Sequence, residues 1–584
     1  MKNNDINLIL DDLRSEFIII GLTGALGSGC TETAKFLSDK KSFGKIDNIL
    51  NCGNKNEFDL EYRKLQRLQY FYTNKKWEKF IHIRVSDILF LLYLNTTNDI
   101  DDMEAILRSG RNDTNQYAKM KSLSKKFIDV IKDYNNDSHN KMSCILYKTN
   151  KFLEKNIDKS SEQYTKLFQG IGECIRTSGS VFSNSSNLVK KLKLDGYEKL
   201  SIFIIPEIVR RVIKLIRKEN ENTERKDFFV IDALRNIYEI EFFRNRYQSF
   251  YLFSIMANEV TRDNRILNLF KFNKKELNTI KGVEKKNSGI EFQAINACIG
   301  KGDVFINNNV DSTSKNELYL QLIKYIALIR KPGLFTPSDD ERYMQVAFTA
   351  RYNSGCISRQ VGAVVVGKDG YMRGFGWNDT PEKHIPCLYR TPNQLLTCSS
   401  NMIFSEYERS NDFYGYIYNK FVQNKDKNNI KFLPFCFKDH QSQIELEKEV
   451  HKIKEKVKDI DETKIKVILE EAKFKNPTRE RALHAEENAF LQISKSGGQT
   501  VIDGTLYSTD SPCQLCAKKT MQLKIKRVVY IDAYPDISIE HTLKAGVQSD
   551  WPQFDMFSGV IGSAYFKLFV PIIGRKDEMK FLSN

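Results

Sequence analysis

Two rhythms of apolar and polar positions run along this chain. A short apolar run at Glu16–Gly21 predicts a buried strand, followed by a glycine-rich loop and a helix over Thr31–Asp39. The stretch Ile81–Leu94 predicts a strand running into a helix. Residues 105–220 read mainly as helix, broken by the Ser/Asn/Gly-rich loop Ser178–Asn187. Apolar runs at Phe228–Asp232, Phe250–Ala257 and Asp303–Asn307 predict three more strands. Strands alternating with helices predict a three-layer α/β domain with a mainly parallel sheet over 1–330, carrying a helical insertion at about 105–220. Lys331-Pro332-Gly333 and Thr336-Pro337-Ser338 mark a joint. Beyond it a second α/β domain is expected over 331–584. Its predicted elements are a helix at Arg342–Tyr352, a hairpin of Val361–Val366 with Gly370–Trp377, a polar insertion at 380–440 and charged helix at 443–473. Helix 484–496, strand 504–509, helix 513–522, strand 526–532 and a helix from Ser538 complete it.

With 584 residues the chain exceeds what one core sustains, which agrees with two domains. Hydrophobic residues make up 41% and charged residues 28%, an ordinary globular balance. The formal net charge is +16, but the lysines are dispersed. Two readings stand: a polyanion partner, or a general compositional bias. The opening Met1-Lys2-Asn3-Asn4-Asp5 is polar, unlike a signal peptide, and Phe17–Leu22 is too short to span a bilayer. A cytoplasmic protein without a membrane partner is expected. The 11 cysteines would then be reduced, serving as core residues or metal ligands.

One constellation carries chemistry. His484-Ala485-Glu486 is followed about thirty residues later by Pro512-Cys513-Gln514-Leu515-Cys516, the H-x-E…P-C-x-x-C pattern of zinc deaminases. A catalytic zinc takes three protein ligands and leaves one position open; His484, Cys513 and Cys516 supply one nitrogen and two thiolates. Cysteines at a helix start favour the thiolate, and Pro512 suits that start. Two thiolates nearly cancel the metal's charge, so water acidification needs a base. Glu486 fills that role, passing a proton from water to the ring nitrogen N3 while water attacks C4 of cytosine and ammonia leaves.

With those residues, the stretches 340–375 and 475–584 resemble the deoxycytidylate deaminase branch of the cytidine deaminase-like superfamily, which implies an α/β/α fold. Ser354-Gly355-Cys356 and Arg359 to Val366 look like that family's first strand. Gly376-Trp377-Asn378-Asp379-Thr380-Pro381 resembles its G-Y-N-G-T-P loop, with Trp377 and Asp379 departing from it. The resemblance implies that Asn378 contacts the substrate sugar, that Ala485 holds the base through its backbone, and that Tyr534 sits near the deoxynucleotide. Some relatives hold a second, structural zinc in the insertion (about 380–473), which makes His384, Cys387, Cys398 and Cys436 candidate ligands.

At the other end, Gly24-Ala25-Leu26-Gly27-Ser28-Gly29-Cys30-Thr31 has the G-x-x-x-x-G-K-[ST] frame between a strand and a helix, the context for a loop whose amides cradle phosphates. Thr31 stands at the magnesium-ligand position, and Cys30 replaces the lysine. Asp232 ends a strand as a Walker B-like acid, while Arg235, Arg262 and Arg265 are candidates to face phosphates. The domain looks like a nucleoside monophosphate kinase-type P-loop domain. Without the lysine, binding of a nucleotide with Mg2+ is expected to outlast phosphoryl transfer. Phosphoryl transfer itself and a relic loop that binds nothing are the alternatives. A kinase-like P-loop domain fused to such a deaminase resembles a bacterial anti-phage family that deaminates dCTP, and often dCMP. The resemblance implies a free deoxycytidine nucleotide substrate, a homo-oligomer, and an inhibitory RNA or protein as candidate partner. A nucleic-acid editing deaminase, a housekeeping dCMP deaminase and a non-enzymatic nucleotide sensor are the competing readings.

Overall fold

The computed structural model of the chain describes residues 16–39, 58–74, 77–97, 114–135, 141–157, 162–182, 185–223, 225–270, 277, 281, 294–309, 316–397, 402–423, 430–456, 461–471, 480–533 and 538–583. Among them no helix is long and apolar enough to cross a membrane. The chain divides into two compact units. Unit 1 comprises Met1–Ser338 with Met556–Asn584, and unit 2 comprises Asp339–Asp555. Eleven strands lie among the described residues: β1 (Phe17–Thr23), β2 (Ile81–Arg84), β3 (Asp227–Asp232), β4 (Phe250–Met256), β5 (Val304–Asn307), β6 (Gly362–Val366), β7 (Met372–Trp377), β8 (Thr505–Asp510), β9 (Arg527–Asp532), β10 (Gln553–Met556) and β11 (Gly559–Val560).

Unit 1 is built on a sheet of order β11-β5-β4-β1-β3-β2. The five strands β1 to β5 are parallel, with Ile19 opposite both Phe229 and Phe250, and Arg84 opposite Asp232. Both faces are buried. Ile19, Phe229 and Ile231 enter one core, while Ile18, Ile20, Phe228 and Val230 enter the other. This explains why these strands read as continuous apolar runs without alternation. Because β1 lies between β3 and β4, the strand order reverses at β1. That opens a crevice at the strands' carboxyl ends. Helix α1 (Cys30–Ser38) follows β1 across it.

A helical region then covers one face. It includes α2 (Thr114–Lys132), Met142–Asn156, Glu162–Ser178, α3 (Leu188–Leu192) and α4 (Ile204–Asn220), with α5 (Ile237–Arg246) after β3. In α4, Ile205, Val209, Val212 and Ile216 recur at helical spacing and are all buried.

The C-terminal segment departs from the expected single domain over 331–584. Residues 556–584 return to unit 1, where β11 pairs antiparallel with β5, Val560 opposite Val304. Ala564 and Leu568, four residues apart, join Ile306 and Leu322 in the unit 1 core. A two-residue strand carries no readable period, so this return was hidden in the sequence.

Unit 2 holds a mixed sheet of order β10-β9-β8-β6-β7. β6 runs antiparallel to β7 and β8, and β8 parallel to β9. Helix α6 (Asp339–Ala350) packs on β6 and β8. The region 380–456 is less polar inside than expected. Leu395, Phe404, Phe413, Ile417, Phe421 and Phe435 form a small core of their own, beside a buried Arg390–Glu408 ion pair. It ends in α7 (Phe437–Lys456), and a further helix spans Glu462–Glu471. Helix α8 (Ala485–Lys495) lies across β6 and β7, while α9 (Gln514–Gln522) follows β8. Near Ser538, where a full helix is expected, the chain makes only the short helical turn Ile539–Leu543.

Candidate active site

Local chain geometry converges on one end of the unit 2 sheet. His484 is the N-cap of α8, and its amide donates to Glu487 Oε2 at 3.4 Å. Leu483 and Asp379 exchange backbone hydrogen bonds (3.2 and 2.8 Å), which fixes the approach to α8 against the loop after β7. Gly376 permits this packing. A Cβ there would collide with the Ala485 carbonyl and, at 2.5 Å, with the Ala489 amide. Cys513 caps α9 and Cys516 sits in its first turn, with the Ala517 amide donating to the Cys513 carbonyl at 2.8 Å. A Lys519–Glu487 ion pair joins the two helices.

The three expected metal ligands come together. Cys513 Sγ and Cys516 Sγ lie 3.3 and 3.4 Å from His484 Nδ1. All three donor atoms fall within 4.8 Å of one another. One nitrogen and two sulfurs in that space fit a tetrahedral zinc with one position left open. Hydrogen bonding from Cys516, then from His484, pulls the Cys513 thiol down to about 4, while the same bond and burial push Cys516 up. The bonds to Cys513 and Glu480 hold the imidazole up to about 10. This cluster keeps a proton that a bound cation would displace.

Glu486 is only 4% exposed, with Oε2 3.6 Å from Cys516 Sγ. Burial lifts its carboxyl above the usual range, as suits a group that both takes and returns a proton. Ala485 is fully buried, and with Glu486, Asn378, Arg359 and Asp510 it lines a cavity of about 270 Å³ beside the cluster. The Asn378 amide is engaged with backbone: Oδ1 accepts from Val361 N at 2.7 Å, and Nδ2 donates to the Arg359 carbonyl at 2.6 Å. It therefore shapes the wall of the cavity. Tyr534 lies outside the described residues.

Two features escaped the sequence. His484 Nε2 lies 3.1 Å from Glu480 Oε2, and Glu480 also pairs with Lys438 of α7. Those bonds, His484 first, draw Glu480 down to about 2. This is the carboxylate–histidine arrangement that fixes ring orientation in metal sites. A carboxylate four residues before the histidine was the available signal. The second feature is Arg359, whose Nε pairs with Asp510 at 2.6 Å and Nη2 with Asp532 at 3.2 Å. Burial carries Asp510 to about 7 against the pull of Arg359, and Asp532 and Glu486 add to the rise.

Of the second set of candidate ligands, the described residues His384, Cys387 and Cys436 do not form a group with metal-ligand proximity. Among the described residues His484, Cys513 and Cys516 are the one group with metal-ligand proximity. His384 is exposed in a turn, Cys387 is buried and accepts from Arg481 at 3.8 Å, and Cys436 is half-buried. Cys398 lies outside the described residues.

In unit 1 the loop Gly24–Thr31 crosses the carboxyl end of β1. Gly27 and Gly29 take φ of 80° and 105°, left-handed values that favour glycine. Asn308 Nδ2 donates to the Ser28 carbonyl at 2.6 Å, and Arg265 to the Gly27 carbonyl at 3.3 Å. Arg262 donates to the Ala257 carbonyl at 3.2 Å, so these two arginines serve main chain. Arg235 lends positive charge near Cys30. Burial, then Asp232, pushes the Cys30 thiol up to about 12, so an uncharged group stands at the lysine position. Asp232 pairs with His82 at 3.3 Å. Burial opposes its charge, but bonds from His82 and Thr31 and the charge of Arg84 hold it below the usual range.

Residues 457–532 match the family model of the cytidine and deoxycytidylate deaminase zinc-binding region. ComE operon protein 2 of Bacillus subtilis (strain 168) is 47% identical over 55 residues, which are 9% of this chain and 28% of that protein. The deoxycytidylate deaminase of Enterobacteria phage T4 is 26% identical over 193 residues, 33% of this chain and 76% of that one. The chain thus spans little more than a quarter of the Bacillus relative. The dCMP deaminase of cyanophage S-TIM5, solved with dCMP and dUMP, aligns at 20% identity and a TM-score of 0.20, covering 38% of this chain and 99% of that one. On the family match and the assembled His-Cys-Cys group, unit 2 contains a deaminase domain of the cytidine and deoxycytidylate type.

Proposed function

We propose that the protein hydrolyses the amino group of free deoxycytidine nucleotides, dCTP or dCMP, giving the deoxyuridine nucleotide and ammonia. The observation that carries this is the buried Glu486 beside the His484–Cys513–Cys516 group, on the wall of a cavity. His484, Cys513 and Cys516 would hold zinc, which when bound supplies the positive charge that acidifies water. Glu486 takes the proton from that water and delivers it to N3 as the oxygen adds to C4. It then carries the proton of the hydroxyl now on C4 to the amino group, the C4=O bond forms as the C4–N bond breaks, and ammonia leaves. The Ala485 backbone is assigned to the base and Asn378, through the amide hydrogen and lone pair that its two backbone bonds leave over, to the sugar, and Glu480 holds the imidazole in register.

Pool depletion in phage defence is the biological setting we favour, resting on the resemblance of the two-domain combination. In unit 1 the loop Gly24, Gly27, Ser28, Gly29, Cys30 and Thr31, with Asp232, is proposed to bind a nucleotide. Thr31 and Asp232, which are in hydrogen-bond contact, would hold Mg2+ with that nucleotide. The net charge of +16 favours one second reading, an editing enzyme on single strands. A deamination assay by chromatography against dCTP, dCMP, CTP, deoxycytidine and single-stranded DNA separates them. Turnover of dCTP or dCMP alone is expected; turnover of DNA alone would replace the proposal with the editing reading.

A further inference from the structure

The β1–α1 loop sits at the carboxyl ends of the unit 1 strands. A different concavity lies at their amino ends. Tyr247, just before β4, packs on Phe17 at the start of β1 (ring centroids 5.6 Å apart), and Arg217 covers Phe17 at 4.4 Å while pairing with Asp227 at the start of β3. Seven residues of β1 separate this edge from the glycine-rich loop, roughly 20 Å of extended chain. The groove there has a volume of about 710 Å³, within the usual range of small-ligand pockets. Its walls are the ends of α2, α3 and α5 and the start of α4.

Its charge is lopsided. Lys132, Lys193, Arg210, Arg211 and Arg246 line it against only Asp195 and Glu207. Glu207 is already committed, accepting twice from Arg210 at 2.7 Å and once from Arg211 at 3.2 Å. Three helix-end carbonyls that would repel an anion are also neutralised. Arg211 donates to Ile131, Leu192 and Lys193 at 2.9–3.0 Å. Lys132 and Lys193 make no ion pair among the described residues, and exposed Arg246 meets only the Phe242 ring and carbonyl and the Tyr197 hydroxyl. Tyr134 stands among three cations, Arg211 at 4.3 Å, Lys214 at 4.8 Å and Arg210 at 5.7 Å from its ring. Burial opposes ionisation of its phenol, yet bonding to Arg210 and these same charges hold it below its ordinary value.

We infer that this groove is an anion site of unit 1 for a small polyphosphate-bearing ligand, with Lys132, Lys193 and Arg246 as its phosphate contacts and Tyr134 and Tyr197 as aromatic walls. Basic residues continue along α4 to Lys214 and Lys218, which both donate to Asn135 at 2.8 Å; what favours a compact polyanion over a nucleic-acid strand is the bounded concavity of about 710 Å³ that the pocket cations face. The test is titration of the full chain with inorganic tripolyphosphate, read by calorimetry and by hydrogen exchange. The wild type should bind, more weakly as salt is added, with protection at 132–135 and 193–197. Lys132→Glu/Lys193→Glu should lose that protection and weaken this binding by at least about tenfold, as should Arg246→Gln in smaller measure, all with unchanged unfolding temperature. Unaltered binding and protection in the double variant would overturn the proposal, as would no binding by the wild type. Protection by a single-stranded oligonucleotide alone, with none by tripolyphosphate, would also overturn it in favour of a nucleic-acid surface.

Discussion

Glu480 meets the proposed metal site through His484, so its removal should act on metal affinity before chemistry. Glu480→Gln keeps the shape but loses the charge that faces His484 Nε2 at 3.1 Å. Zinc affinity, measured by competition with a chelator, should fall about 10–100-fold, and Glu480→Asp should recover part of it. An unchanged affinity would leave Glu480 as a surface partner of Lys438. Asp510 makes a pH prediction. Its folded value of about 7 lies above its ordinary 3.8, so between those values the folded state binds a proton that the unfolded chain lacks. Its contribution to stability therefore falls as pH rises through that window, and the full penalty is present above about 7. Asp510→Asn should raise the unfolding temperature at pH values above that window and do little below it, a difference of at most about 4 kcal/mol for a shift from 3.8 to about 7. Equal effects at both ends would contradict the burial of this charge. The clustering of His484, Cys513 and Cys516 with Glu486 beside them was legible because these residues sit in two short contiguous motifs. The Lys438–Glu480 and Arg359–Asp510 pairs join residues 42 and 151 positions apart, and no local pattern announces them.

At the scale of elements, the geometry of the proposed active site depends on how closely α8 lies on β7. Gly376→Ala would drive a methyl group into the Ala485 carbonyl and the Ala489 amide, so the helix start must shift. The expected loss is about 1–3 kcal/mol of stability, measured by denaturant unfolding, with reduced turnover because Glu486 adjoins Ala485. Full activity and stability in that variant would show that the contact relaxes freely. Most elements were legible from their periodicity, since β1, β3, β4, β6, β8 and β9 carry strong apolar runs. The small core of region 380–456 was not. Phe404, Phe413, Phe421 and Phe435 are separated by polar residues, and only the fold collects them.

At the scale of the molecule, unit 1 is made from two separate stretches of chain. Deleting 556–584 would strip β11 from β5, exposing a sheet edge, and withdraw Ala564, Leu568 and Phe569 from the unit 1 core. Such a truncation should lower the unfolding temperature and promote aggregation, checked by scattering during a thermal ramp; wild-type behaviour would mean that the segment contributes little. The central claim concerns unit 2, that a zinc group and a buried carboxylate together remove an amino group from a deoxycytidine nucleotide. Zinc content and ammonia release, measured side by side on the full chain and on Glu486→Ala with dCTP and dCMP, test it most directly. The account predicts one zinc at the His484 site in both proteins and a fall in turnover of about a thousandfold or more in the variant. Undiminished turnover in Glu486→Ala, or full turnover by metal-free protein, would contradict it.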